Sequence, residues 1–182
     1  MDYEKEFEIL HTMQQTYAAL FLTSNKIQIA GDKYCEPLTS RQYMVMLAIL
    51  HIENGKRTFN NIAQKIGTTK QNTTQHIKVL EKKGYVDVEP SKYDKRSVNV
   101  NVTEQGYKVL SQCSETGGIN LMADLFKNFS DDEVKILWDL LKKLYQFDGE
   151  AMNGFEENVN IEEVSDKRVK TVLDKFAGRR KR

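Results

Sequence analysis

Residues 97–102, Ser-Val-Asn-Val-Asn-Val, alternate strictly between polar and apolar side chains. A period of two predicts a strand with one buried face, here the face of Val98, Val100 and Val102. Tyr85, Val86 and Val88 form a second short strand just upstream, and Pro90 to Lys95 join the two. The pair reads as a hairpin with a charged tip. The chain has only two prolines in 182 residues, so the remainder reads as helices and turns. A single hairpin set into a helical chain is a narrow constraint on fold.

Residues 2–29 read as one long helix, because Tyr3, Phe7, Leu10, Tyr17, Phe21 and Ile27 recur at steps of three and four or their multiples. Its aromatic stripe suits a core and a partner surface equally well. Residues 31–37 read as a loop. A second helix opens with Thr39 and Gln42 as a capping box and Leu38 and Tyr43 as a hydrophobic staple, and it ends near Asn54-Gly55. Thr58 caps a short helix over 59–66, with Phe59, Ile62, Ala63 and Ile66 inward, and Gly67 breaks it. The next helix starts at Thr68 or Thr69 and ends at Gly84, a favoured residue just past a helix end. After the hairpin, Thr103 caps a long helix to about Phe129, where Gly117-Gly118 marks a kink or a close backbone approach. Ser130 with Glu133 and Phe129 with Val134 repeat the box and staple before a helix to about Phe147. Residues 160–177 fit a further amphipathic helix with Ile161, Val164, Val172 and Phe176 inward, Gly178 as its stop, and a disordered basic end.

The order helix, short helix, turn, helix, hairpin, helix is that of a winged helix-turn-helix. The fold class is therefore mainly α with a small β-hairpin wing, flanked by long N- and C-terminal dimerisation helices. The third helix of this unit begins with Thr68 to His76, nine residues without an apolar side chain, seven of them bearing a hydroxyl or carboxamide. Thr and Asn cost up to roughly 0.7 kcal/mol each against Ala in a helix, so packing alone does not account for the run. DNA does: Asn and Gln can pair bidentately with adenine, and Thr methyls can touch thymine methyls. Thr73, Ile77 and Leu80 share the inward face. The outward set is Lys70, Gln71, Asn72, Thr74, Gln75 and Lys78, while Lys70, Lys78 and the Thr68/Thr69 end suit phosphates. In the wing, Lys92, Lys95 and Arg96 are placed to reach a neighbouring minor groove, and Asp94 can hold Arg96 by a salt bridge.

Charge distribution agrees. The net charge is +1, yet residues 55–100 hold ten Lys/Arg and four Asp/Glu, residues 148–166 hold seven acids and no base, and residues 167–182 hold eight bases and one acid. A basic middle can bind phosphates whatever the total. One recognition helix reads too few base pairs for useful specificity, whereas two helices about 34–36 Å apart read two half-sites. A homodimer follows, with Tyr3, Phe7, Leu10, Leu137, Leu141 and Leu144 as candidate interface.

Other classes fit poorly. No apolar run approaches the roughly 20 residues that span a bilayer. The acidic start is not a secretory signal, and Cys35 and Cys113 have no CxxC spacing, which points to a cytoplasmic protein with no metal or cofactor. His11, His51 and His76 are scattered, and no nucleophile elbow, phosphate loop or zinc motif marks an enzyme. Cys35 reads as a bystander rather than an oxidant sensor, and Cys113 as packing.

The segments "LTSRQYMVMLAIL", "NIAQKIGTTKQNTTQHIKVLEKKGYV" and "DKRSVNVNVTEQG" resemble bacterial transcription regulators of the MarR family, from the first helix to about residue 147. The most specific part is the helix ending "LEKKGYV", followed by Asp-x-Arg and "VT..G"; in the family Asp-x-Arg sits in the wing, here as Asp94 and Arg96. The resemblance implies a homodimer built from the first and last two helices, a palindromic double-stranded DNA operator, and often a small-molecule or oxidant inducer. It divides the chain into a helical dimerisation region (1–36 and 103–147), a winged helix-turn-helix (37–102) and a C-terminal extension (148–182). The expected function is a dimeric repressor released by a small molecule or other signal. A winged-helix module docking a protein partner, with weak DNA binding, is the alternative. The extension departs from the family pattern; it suits flanking DNA, a partner protein, the DNA-binding face of its own chain, or simple packing on the dimer.

Overall fold

A computed structural model describes residues 3–90, 97–150, 155 and 166–180. Helix α1 (Tyr3–Tyr34) is followed by α2 (Ser40–His51), α3 (Phe59–Lys65) and α4 (Lys70–Lys82). Strands β1 (Val86–Pro90) and β2 (Val98–Val102) pair antiparallel, with Val86 opposite Val102 and Val88 opposite Val100. Helix α5 (Glu104–Gln112) runs through six π-helical residues, Cys113–Gly118, into α6 (Ile119–Leu125). Helix α7 (Asp131–Tyr145) ends in a 3-10 turn, and α8 (Asp166–Arg180) packs along α6.

The caps form where the sequence places them. Thr39 and Ser130 make complete capping boxes with Gln42 and Glu133, and Thr58, Thr69 and Thr103 each accept from the backbone N–H three residues on. Each satisfies an orphan donor at a helix start. Gly84, at φ +74°, closes α4 in the left-handed region. The core gathers Val45, Met46 and Ile49 of α2, Ile62 of α3, Ile77 and Leu80 of α4, Val86 and Val100 of the hairpin, and Leu110 of α5.

Four expectations are corrected. The loop at 31–37 does not begin at Gly31: α1 continues to Tyr34. The Asp32 carboxylate accepts from the Ser40 N–H at 2.7 Å, and the Tyr34 hydroxyl donates to Asp124, so tertiary bonds hold the added turn. The long helix after Thr103 stops at Leu125 rather than Phe129 and is interrupted by the π-helical residues. There Gly117 lies against the Tyr34 carbonyl so closely that a Cβ would sit 1.8 Å from its oxygen, which makes it a close-approach glycine. Gly178 does not stop the last helix, and the basic end is not disordered through Arg180. Arg179 donates to both Asp124 oxygens at 2.8 and 2.6 Å, and Arg180 donates to Asp131 and the Phe129 carbonyl, so α8 runs to Arg180. Finally, Asn99 is not on a solvent face. The Val100 N–H bonds the Arg57 carbonyl at 3.0 Å, the Arg57 guanidinium reaches Asn101, and this segment covers β2, leaving Asn99 buried. Residues 160–165, with Ile161 and Val164, lie outside the described residues; Val172 and Phe176 are half-buried, as expected of the inward face.

Thr73 is fully buried, and its hydroxyl has no hydrogen-bond partner. An unpaired buried hydroxyl costs about 1–3 kcal/mol. Thr73→Val, which keeps the shape, is therefore expected to raise stability by about 1 kcal/mol in urea unfolding. A loss of stability would mean that the hydroxyl is satisfied in solution.

Candidate nucleic-acid interface

Helix α4 separates its side chains cleanly. Thr73, Ile77 and Leu80 are buried, while Lys70, Gln71, Asn72, Gln75 and Lys78 are exposed. The buried stripe locks the helix onto α2 and α3, and the named exposed residues are all polar or basic, with Val79 as an exposed apolar side chain beside them. The ends are fixed as well. Lys83, just past α4, donates to the Pro37 carbonyl at 3.0 Å and to Gln42 at 3.2 Å, tying the C-terminal end of α4 to the start of α2.

Individual groups differ in what they can offer a ligand. The Thr69 hydroxyl is occupied as the cap of α4, accepting from the Asn72 N–H at 3.2 Å. Thr74 donates its hydroxyl to the Lys70 carbonyl at 2.7 Å, so its methyl is the group available for apolar contact. The Asn72 amide lies 3.5 Å from the Thr68 hydroxyl, a weak bond that a base could replace. The Gln71 and Gln75 carboxamides and the Lys70 and Lys78 ammoniums project from the exposed face. The wing residues Lys92, Asp94, Lys95 and Arg96 lie outside the described residues, so the wing salt bridge does too.

Sequence reasoning missed what lies behind α4. A cavity of about 530 Å³ opens between α1, α2, α4 and α6, lined by Ile27, Met44, Ile119 and Met122 with Arg41 and His76. Burial, and then the Arg41 charge, hold the His76 pKa below its ordinary value, favouring the neutral ring. No local signal could have found this cavity, because its walls come from residues 27 to 122. Cys35 and Cys113 are both buried in the core, and burial together with the adjacent Cys35 pushes the Cys113 thiol pKa up. Among the described residues no cluster of three or more His, Cys, Asp or Glu comes together, and no helix is long and apolar enough to cross a membrane.

Away from α4, two apolar faces stand uncovered. Tyr3, Phe7 and Leu10 on α1 are exposed, and α7 has no buried residue at all, with Leu144 exposed and Leu137 and Leu141 half-buried.

This arrangement of helices, hairpin and polar third helix has known counterparts. The family model described as MarR family matches residues 37–97. The winged-helix unit of this chain is therefore similar to those of the MarR family. It is 29% identical over 127 residues to the multiple antibiotic resistance protein MarR of Salmonella typhimurium, covering 69% of this chain and 87% of that protein. A cysteine-to-serine variant of MarR from E. coli, solved in complex with operator DNA, superposes with a TM-score of 0.65 at 26% identity, over 73% of this chain and 95% of that one. The fold is shared with the S. aureus MepR–DNA complex at 20% identity and a TM-score of 0.64, over 71% of this chain and 96% of that one. The MarR likeness thus leaves over a quarter of the chain unmatched.

Proposed function

We propose that the chain is a homodimeric, sequence-specific DNA-binding transcription regulator of the repressor type, with α4 entering the major groove of a palindromic operator. The carrying observation is α4 itself: a fixed helix whose outer face is polar and basic apart from Val79, in a chain similar to a protein solved with operator DNA. Gln71, Asn72 and Gln75 read base edges, the Thr74 methyl supports a thymine, and Lys70, Lys78 and the Thr68/Thr69 end meet phosphates. The exposed stripes of α1 and α7 form the dimer contact.

Selection of bound sites from genomic fragments tests this, followed by salt titration on the recovered operator. Lys70→Gln is expected to lower the log–log salt slope by about one unit while weakening all sequences alike. Asn72→Ala and Gln75→Ala should each cost about 1–3 kcal/mol on the operator and almost nothing on a scrambled duplex. A flat salt slope in the parent chain would instead favour a protein-docking module.

The effector, if this regulator takes one, belongs in the cavity behind α4. Its apolar walls and the Arg41 charge suit an amphiphilic anion, whose binding would press on the helix that carries the reading face. With salicylate as probe, the thermal shift of the parent chain should vanish in Arg41→Gln; an equal shift in both would place the anion elsewhere.

A further inference from the structure

Cys35 and Cys113 are the only cysteines of the chain, far apart in sequence and without CxxC spacing. The fold brings them together. Cys113 opens the six π-helical residues that join α5 to α6, and it shares their buried face with Gly117. The missing side chain at Gly117 admits the end of α1. A Cβ there would sit 1.8 Å from the Tyr34 carbonyl oxygen and 3.5 Å from the Cys35 backbone nitrogen. Cys35 is thereby seated against the face that carries Cys113. Both residues are 3% exposed and belong to one core cluster. The Tyr43 phenol, 3.1 Å from the Ser114 hydroxyl, lies within electrostatic reach of both sulfurs. π-Helical insertions of this kind recur at functional sites.

The pair is buried but not sealed. Cys35 lines the cavity behind α4, which gives an entry path. Among the described residues no cluster of three or more His, Cys, Asp or Glu forms. That donor count does not suit a structural zinc ion, which takes four ligands. A soft cation such as Cu(I) accepts two thiolates in line and prefers them to oxygen donors. Disulfide formation is the competing chemistry. An oxidant entering by the cavity meets Cys35 first, and closure then needs Cys113 as a thiolate. Burial and the adjacent Cys35 hold the Cys113 thiol well above its ordinary pKa, which slows that closure. A thiophilic metal ion instead displaces the proton outright.

We propose that Cys35 and Cys113 form a two-coordinate site for a soft monovalent cation of the Cu(I) class, reached through the cavity behind α4. Each sulfur gives a lone pair to the metal as a thiolate, and two protons leave to solvent. No electron is transferred. The S–Cu–S unit carries one negative charge, and Arg41 on the wall of the same cavity supplies the opposite sign. The site does not depend on the DNA-binding reading above.

The reduced full chain is titrated under argon with the purple Cu(I)–bicinchoninate complex, in parallel with Cys35→Ala and Cys113→Ala. Alanine adds no polar group at either buried position, and folding is checked by far-UV circular dichroism. The parent should bleach the complex at one Cu(I) per chain, and each variant should leave it coloured. Bleaching that survives in either variant would overturn the site. So would a parent that leaves the complex coloured, or an end point of one Cu(I) per two chains, which would put the ion between protomers. X-ray absorption at the copper edge of the loaded parent needs no variant, and it decides the matter if one fails to fold. Two sulfur neighbours and no others are expected; a nitrogen or oxygen donor, or a third sulfur, would sink the paired-thiol site.

Discussion

A chain carrying Phe7→Asp and Leu10→Asp is expected to sediment as a monomer and to lose measurable operator binding. Phe7 is 72% and Leu10 51% exposed in the single chain, so neither substitution disturbs its own core. Helix α1 has 32 residues, about 48 Å of helix, and buries only Gly31 near its end. Helix α7 has an apolar stripe and no buried residue. Two such faces on one chain exceed the scattered apolar exposure of a monomer and require a partner. In a twofold contact each substitution acts twice, and an unpaired carboxylate in a buried interface costs several kcal/mol. A monomer retains one α4 and so reads one half-site. Helical content should stay near that of the parent. An unchanged dimer in sedimentation velocity would relocate the interface away from the N-terminal end of α1.

Gly117→Ala is expected to cost about 3 kcal/mol and lower Tm by about 6–12 °C. The added Cβ would meet the Tyr34 carbonyl oxygen at 1.8 Å and its carbon at 2.7 Å. Both are backbone atoms, so no side-chain rotation relieves the clash, and α1 must lift from the π-helical residues. Gly178→Ala is the control, because nothing lies within 4 Å of its Cβ position in α8. That substitution should be neutral or slightly stabilising through helix propensity. A Tm change below about 2 °C in Gly117→Ala would show that the two segments separate at little cost.

The parts of the fold legible in the sequence were those fixed by neighbours in the chain. Thr39 with Gln42 and Ser130 with Glu133 set their own helix starts, and the spacing of Thr73, Ile77 and Leu80 picked out the buried side of α4. Where distant residues decide, local reasoning failed. Gly31 and Gly178 both look like helix breakers, yet the carboxylates of Asp32 and Asp124, the latter more than fifty residues from Arg179, sustain the helices around them. Alternation in 97–102 placed Asn99 outward because it could not show that Arg57 runs along the same strand. For the candidate site, the exposed set on α4 was readable from composition and period together. The cavity behind it was not, since Arg41 and His76 become neighbours only through folding. Nor could the sequence reveal that the Thr74 hydroxyl is spent within the helix.

The two sets of residues on α4 do not overlap. Thr73, Ile77 and Leu80 hold the helix to its own protein, and Lys83 anchors the C-terminal end from outside the helix. The exposed carboxamides and ammoniums carry no part of that attachment. Residues 70, 71, 72, 75 and 78 can therefore be exchanged while the scaffold beneath stays as it is, and on the proposed reading of α4 they form a cassette in which recombination or design would write a new operator preference.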